Sequence, residues 1–270
     1  MAVDGSTHEK SLEGGFGENL SSERFPRTIL ALADYKIKIC GVCRPEDARM
    51  ASEAGADFIG VLVDVPGTPR SRAFEDANAI AAKTTAPLVL LLWEPGVERA
   101  AELARALHPH AIQLLADESP DDVRAIKDAC GCRVWKAIHL PARGSGEVRV
   151  ADVIATIRRY EHAGADAIVL DAKVKIDGVE HRGGTGQASD WAAAAQIVCR
   201  TRVPVLMAGG ITPDNASAAI LMTHPFGVDV STGVESEKCR KDPEEVRRII
   251  ERVHAMSGPQ ELGARNPNDE

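Results

Sequence analysis

Eight short apolar stretches recur along the chain, each followed by an Ala-rich segment with helical spacing. The stretches are KIKIC (36–40), DFIGVLV (57–63), PLVLLL (87–92), AIQLL (111–115), RVWKAI (133–138), DAIVLD (166–171), VPVLMA (203–208) and GVDVS (227–231). Helical segments are expected at 45–54, 73–83, 97–107, 119–129, 150–163, 189–199, 213–222 and 242–256. Near-continuous apolar strands separated by helices indicate a parallel sheet covered on both faces. Eight such units are the number that closes a (β/α)8 TIM barrel. An open doubly wound sheet would need a Gly-rich phosphate loop after the first strand, and CGVCRPED is not G-x-G-x-x-G. The expectation is therefore an α/β chain with a single (β/α)8 barrel over 23–256.

The punctuation agrees with this reading. Pro45, Pro120, Pro213 and Pro243 lie near helix starts, where a missing N–H costs little. AGAD occurs twice, at 54–57 and 163–166, with Gly55 and Gly164 placed as helix C-caps. Residues 1–22 and 257–270 are polar, without periodicity, and are expected to be disordered tails.

Composition excludes several classes. The net charge of −8 and the 4% aromatic content argue against a nucleic-acid surface. No apolar run reaches the ~18 residues of a membrane span, and the N-terminus lacks the pattern of a secretory signal. Six cysteines in 270 residues do not make a disulfide scaffold. A cytoplasmic protein with reduced thiols is expected.

In a closed barrel the active site lies at the C-terminal ends of the strands, so the strand list becomes a map of candidates. The seventh strand runs into Ala208, Gly209 and Gly210, and the eighth into Ser231, Thr232 and Gly233. Small residues with accessible amides after both strands point to a phosphate site. After the sixth strand, Gly183, Gly184, Thr185 and Gly186 read either as a loop closing over a phosphorylated substrate or as a linker. Asp171 ends the sixth strand. It is either a general acid at the mouth or an aspartate paired with Lys173 or Lys175. Cys40 ends the first strand and is either a carbon-acid base or a buried core thiol. Arg70 and Arg72 follow the second strand; a guanidinium can hold a carboxylate, but on charge alone both read first as solvated arginines. His139 and His181 are read as bystanders. Cys40-x-x-Cys43 has no second ligand pair at zinc spacing, so no metal is expected.

Taken together, the motifs are collinear with a known family. KICG, RPEDA…AGADFIGV, TPRSRAFEDA, VLDAK, GGTGQASDW, MAGGITPDNA and VDVSTGVE stand in the order found in phosphoribosylanthranilate isomerases of tryptophan biosynthesis. The chain resembles that family over roughly 36–256. The resemblance implies Cys40 as general base, Asp171 as general acid and Arg70 as holder of the anthranilate carboxylate. It places the ribose phosphate among 183–186, 208–210 and 231–233, and it implies no metal and no organic cofactor. The implied reaction is an Amadori rearrangement, an aldose–ketose isomerisation. The implied partner is a phosphorylated small molecule, acted on by a monomer or homodimer. The sequence departs from the family pattern where VQLHG is usual: Leu115 and Ala116 replace the histidine and glycine. Trp93 and Glu94 follow the third strand, and the fifth reads WKAIHLPARG. These positions surround the aromatic part of such a substrate. Two alternatives follow: the same isomerisation of a different N-phosphoribosyl amine, or a barrel that binds a phosphorylated ligand without turnover.

Overall fold

A computed structural model describes Met1 and residues 34–176, 179–182 and 190–258. Apart from Met1, Ser257 and Gly258, the tails expected at 1–22 and 257–270 lie outside the described residues, as does the glycine-rich stretch at 183–186.

Eight parallel strands close into a barrel. They are β1 (Lys36–Ile39), β2 (Phe58–Val63), β3 (Leu88–Leu92), β4 (Ala111–Leu114), β5 (Arg133–Pro141), β6 (Ala167–Ile176), β7 (Val205–Met207) and β8 (Gly227–Val230). Each pairs with its sequence neighbours, and β1 pairs with both β2 and β8, so the sheet has no open end. The outer helices are α1 (Pro45–Glu53), α2 (Phe74–Ala81), α3 (Gly96–Leu107), α4 (Pro120–Cys130), α5 (Val150–Ala163), α6 (Trp191–Val198), α7 (Ala216–Thr223) and α8 (Pro243–Ala255). The expected (β/α)8 barrel is the observed fold.

Side-chain alternation along the strands explains the two cores. One apolar cluster lies between sheet and helices and includes Ile37, Ile59, Leu90, Ile112, Ile168 and Val246. The other fills the barrel interior with Cys40, Phe58, Leu91, Trp135, Val169 and Ala208. Phe58 and Trp135 meet edge to face there, with ring centroids 5.1 Å apart.

Helix ends follow local chemistry. Ser119 and Asp122 form a reciprocal capping box at α4, a device worth about 1 kcal/mol. Gly164 caps α5 in the left-handed region at φ 96°, as its place in AGAD suggests. In the first AGAD the cap is Ala54, and Gly55 takes positive φ one residue later. The seventh helix starts later than Pro213 suggests. Asn215 closes a turn instead, its Oδ1 accepting from the Thr212 amide and its Nδ2 donating to the Gly210 carbonyl, so helix begins at Ala216. A further departure follows Asp171. β6 continues to Ile176 and pairs antiparallel with Val179–Arg182, a hairpin where a loop was expected. Among the described residues no helix is long and apolar enough to cross a membrane.

Candidate active site

Cys40 follows β1 directly, and its amide donates to the Val230 carbonyl at 2.8 Å. The backbone is thus held to β8 where the sulfur meets the barrel interior. Gly41 then turns with φ 65°. A β-carbon there would sit 2.7 Å from Arg70 Cδ and from Ser231 Oγ. Both the positive φ and the close approach require glycine, which gives the KICG motif its physical reason.

The thiol has a charged neighbour on its own strand. Lys38 lies two residues before Cys40 and so points to the same face. It is fully buried, at 0% exposure. Its Nζ donates to Cys40 Sγ at 3.2 Å and to Asp229 Oδ2 at 2.8 Å. Burial works against the Lys38 charge, but Asp229 and Cys40 more than offset it and leave the ammonium above its ordinary pKa. Burial pushes the Cys40 thiol up to about 11, and Asp229 adds to this, while Lys38 and Lys241 act in the opposite direction.

Asp171 lies three strands round the barrel, on β6. It continues the inward positions of Ala167 and Val169 to the mouth. Its Oδ1 accepts from the Ala172 amide at 2.7 Å. Burial raises its pKa to about 7 and the negative Asp229 raises it further; the Ala172 amide and Lys38 pull the other way. Near neutrality Asp171 is therefore divided between acid and carboxylate. The side chains of Lys173 and Lys175, alternative partners on sequence grounds, lie outside the described residues.

Arg70 is only 8% exposed, held in a forked pair with Glu235. Nε donates to Oε1 at 2.8 Å and Nη2 to Oε2 at 2.6 Å. Lys241 Nζ reaches the same Glu235 Oε1 at 3.2 Å and the Ser231 carbonyl at 3.0 Å. Burial raises the Glu235 pKa, but Arg70 and Lys241 outweigh it and keep the carboxylate below its usual range. Arg70 is fixed at the mouth with Nη1 donating to no described residue. Arg72 bonds the Pro69 carbonyl locally.

The phosphate candidates come together in part. Gly209 and Gly210 both have positive φ, at 79° and 64°. Thr232–Val234 form a single 3-10 turn. The two loops touch, since a β-carbon on Gly233 would lie 2.0 Å from the Ile211 carbonyl. Among the described residues, the amides of Gly209, Gly210, Thr232 and Gly233 donate to no protein acceptor. The Ala208 amide differs, being tied to the Leu170 carbonyl at 2.8 Å. Leu115 packs against the interior cluster. Cys43 is buried beneath the mouth and donates to the Gly41 carbonyl at 3.4 Å. Among the described residues no set of His, Cys, Asp or Glu is grouped to hold a metal ion.

The motif order and this geometry agree with a match to the model of N-(5'-phosphoribosyl)anthranilate isomerases, which covers residues 37–252. The chain belongs to the phosphoribosylanthranilate isomerase family. The N-(5'-phosphoribosyl)anthranilate isomerase of Methanocella arvoryzae is 37% identical over 222 residues, covering 81% of this chain and 97% of the relative. That of Methanopyrus kandleri is 37% identical over 226 residues, covering 80% and 96%. The crystal structure of the Thermotoga maritima phosphoribosylanthranilate isomerase superimposes with a TM-score of 0.69 at 27% identity, over 82% of this chain and 99% of that one. A further family structure, with a TM-score of 0.66 at 26% identity over 82% and 99%, holds reduced 1-(o-carboxyphenylamino)-1-deoxyribulose 5-phosphate.

Several charged side chains around Cys40 and Arg70 are not evident from motif reading alone. Lys38, Asp229, Glu235 and Lys241 were not among the candidates. A signal for the first two was present: a charge at an inward position of an otherwise apolar strand needs a partner.

Proposed function

We propose that the chain performs the family reaction through Cys40 and Asp171. That reaction converts N-(5'-phosphoribosyl)anthranilate to 1-(2-carboxyphenylamino)-1-deoxyribulose 5-phosphate in tryptophan biosynthesis. The carrying observation is that the Cys40 thiol, directly after β1, and the Asp171 carboxyl, on β6, take inward positions toward the mouth, with Lys38 and Asp229 acting on both.

Asp171, as the acid, gives its proton to the furanose ring oxygen. The C1–O bond breaks and the anthranilate nitrogen supplies its electron pair, giving a protonated Schiff base. This cation acidifies the C2 proton. Cys40 as thiolate takes that proton; the C2–H pair moves into C1=C2 and neutralises the iminium, leaving an enolamine. Tautomerisation gives the ketose. A pKa near 7 suits Asp171 to donate and be recharged at neutral pH. The thiol's high resting pKa means that its ionisation needs cationic help, which the developing iminium supplies in part. Each proton-transfer group contributes roughly 10²–10⁴ in rate.

The amides at 209–210 and 232–233, which have no acceptor among the described residues, support the placement of the phosphate. Arg70 keeps Nη1 for the anthranilate carboxylate, while Glu235 fixes its plane. A cytoplasmic setting is supported by the six cysteines, all present as free thiols. The deciding experiment is complementation of a tryptophan auxotroph that lacks this isomerase. Growth is expected. No growth, with the folded protein detected in the cells, overturns the proposal.

A further inference from the structure

Two buried charges stand beside Cys40 for which the reaction above names no step. Lys38 and Asp229 are both inside the barrel, on adjacent strands paired Lys38 to Asp229 in register. Lys38 spans the 3.2 Å to the sulfur and the 2.8 Å to the carboxylate. The other carboxylate oxygen, Asp229 Oδ1, is buried without a hydrogen-bond partner among the described residues. The space for the lysine is made by Gly60 on β2. A β-carbon there would lie 3.0 Å from Cys40 Sγ and 3.0 Å from Lys38 Cε. Strand β2 thus gives up a side chain where the ammonium meets the sulfur.

We propose that Lys38 is a positioning residue for the Cys40 base, its ammonium holding the sulfur's negative charge while Asp229 holds the ammonium. This rests on the reading of Cys40 as the base. The surroundings leave few other sources of that charge. Strand β2 offers Phe58, Gly60 and Leu62, none charged. From β8 comes Asp229, which opposes a thiolate. Lys241, beyond β8, is buried and already engaged by Glu235 and the Ser231 carbonyl. Asp171 on β6 is acidic, and Arg70 is neutralised by Glu235. Lys38 is the cation that donates a hydrogen bond to the sulfur. Removing it leaves the thiolate beside Asp229 with no cation hydrogen-bonded to the sulfur. Removing the Asp229 charge does the opposite. A pair that serves packing only would not produce opposite signs at the sulfur.

The test measures alkylation of Cys40 by iodoacetamide against pH, read on the Cys40 peptide by mass spectrometry. It is run on wild type, Lys38→Met and Asp229→Asn, with kcat and KM from the isomerase assay. Lys38→Met should raise the alkylation midpoint by about 1–3 pH units and lower kcat on the order of 10–10³-fold, with KM changed much less. Asp229→Asn keeps the shape of the side chain and should make Cys40 react faster than in wild type at pH 7. It reports even if Lys38→Met does not fold. Both variants slowing alkylation, or neither moving it, overturns the proposal. Failure of the base reading itself would look different: Cys40→Ala would then keep its isomerase rate whatever the alkylation shows.

Discussion

Two of the buried lysines lie within the barrel strands, and they have different surroundings. Lys38 at 0% exposure and Lys136 at 1% both sit within parallel strands, β1 and β5. Lys136 is caged. Its ammonium donates to the carbonyls of Leu114, Ala116 and Ala137 at 3.2, 2.6 and 3.0 Å. It also lies 3.1 Å from Glu118 Oε2 and 5.5 Å from the centre of the Tyr160 ring. Glu118 in turn accepts from the amides of Glu94 and Ala116. The assembly pins the loops after β3 and β4, and its donors are spent on backbone. Lys38 instead meets two side chains, the Cys40 sulfur and the Asp229 carboxylate. Burial of a charge is thus not in itself a mark of function. What the charge is bound to decides between a structural clamp and a tuned site.

The comparison breaks most visibly in rate. Lys38→Met should lose turnover through the sulfur, as argued above, whereas Lys136→Met should keep most of its turnover per folded molecule. The second variant should instead lose stability, because it leaves Glu118 charged and uncompensated in the interior. A cost of about 3–5 kcal/mol is expected, read as a fall in Tm on the order of 10 °C by calorimetry. A Lys136→Met protein of unchanged Tm and much reduced kcat would reverse the two roles. The smallest effect belongs to Cys43. It is buried in the loop after Cys40, yet its thiol donates to carbonyls and to no charged group. Cys43→Ala should change kcat by less than about threefold, within the usual effect of a change away from the reacting atoms. A loss equal to that of Cys40→Ala would instead make Cys40 and Cys43 a working pair.

The barrel was legible because its signal is repeated eight times and rests on strand parity and helix spacing. Strand parity also named Cys40 and Asp171, since it carries an inward residue toward the mouth, although β6 runs on past Asp171 to Ile176. The polar support was harder to read. Glu235 lies far from Arg70 in the chain and only closure of β8 beside β1 brings them together. Lys38 stands inside the quoted KIKIC, but alternation with isoleucine reads equally as a solvent-facing lysine. In a closed barrel that alternation has both faces buried, and the lysine's face is the interior. Asn215 displaced the start of α7 because its side chain satisfies a turn that the bare Pro213 pattern does not reveal.

The central claim is that a thiol on β1 and a carboxyl on β6 share one proton-transfer reaction at the barrel mouth. It is tested most directly by the loss of phosphoribosylanthranilate fluorescence with purified wild type, Cys40→Ala and Asp171→Asn. The account predicts rapid loss with wild type, a fall of roughly 10²–10⁴-fold in kcat for each variant, and folded variants by circular dichroism. Wild type no faster than the two variants would contradict it.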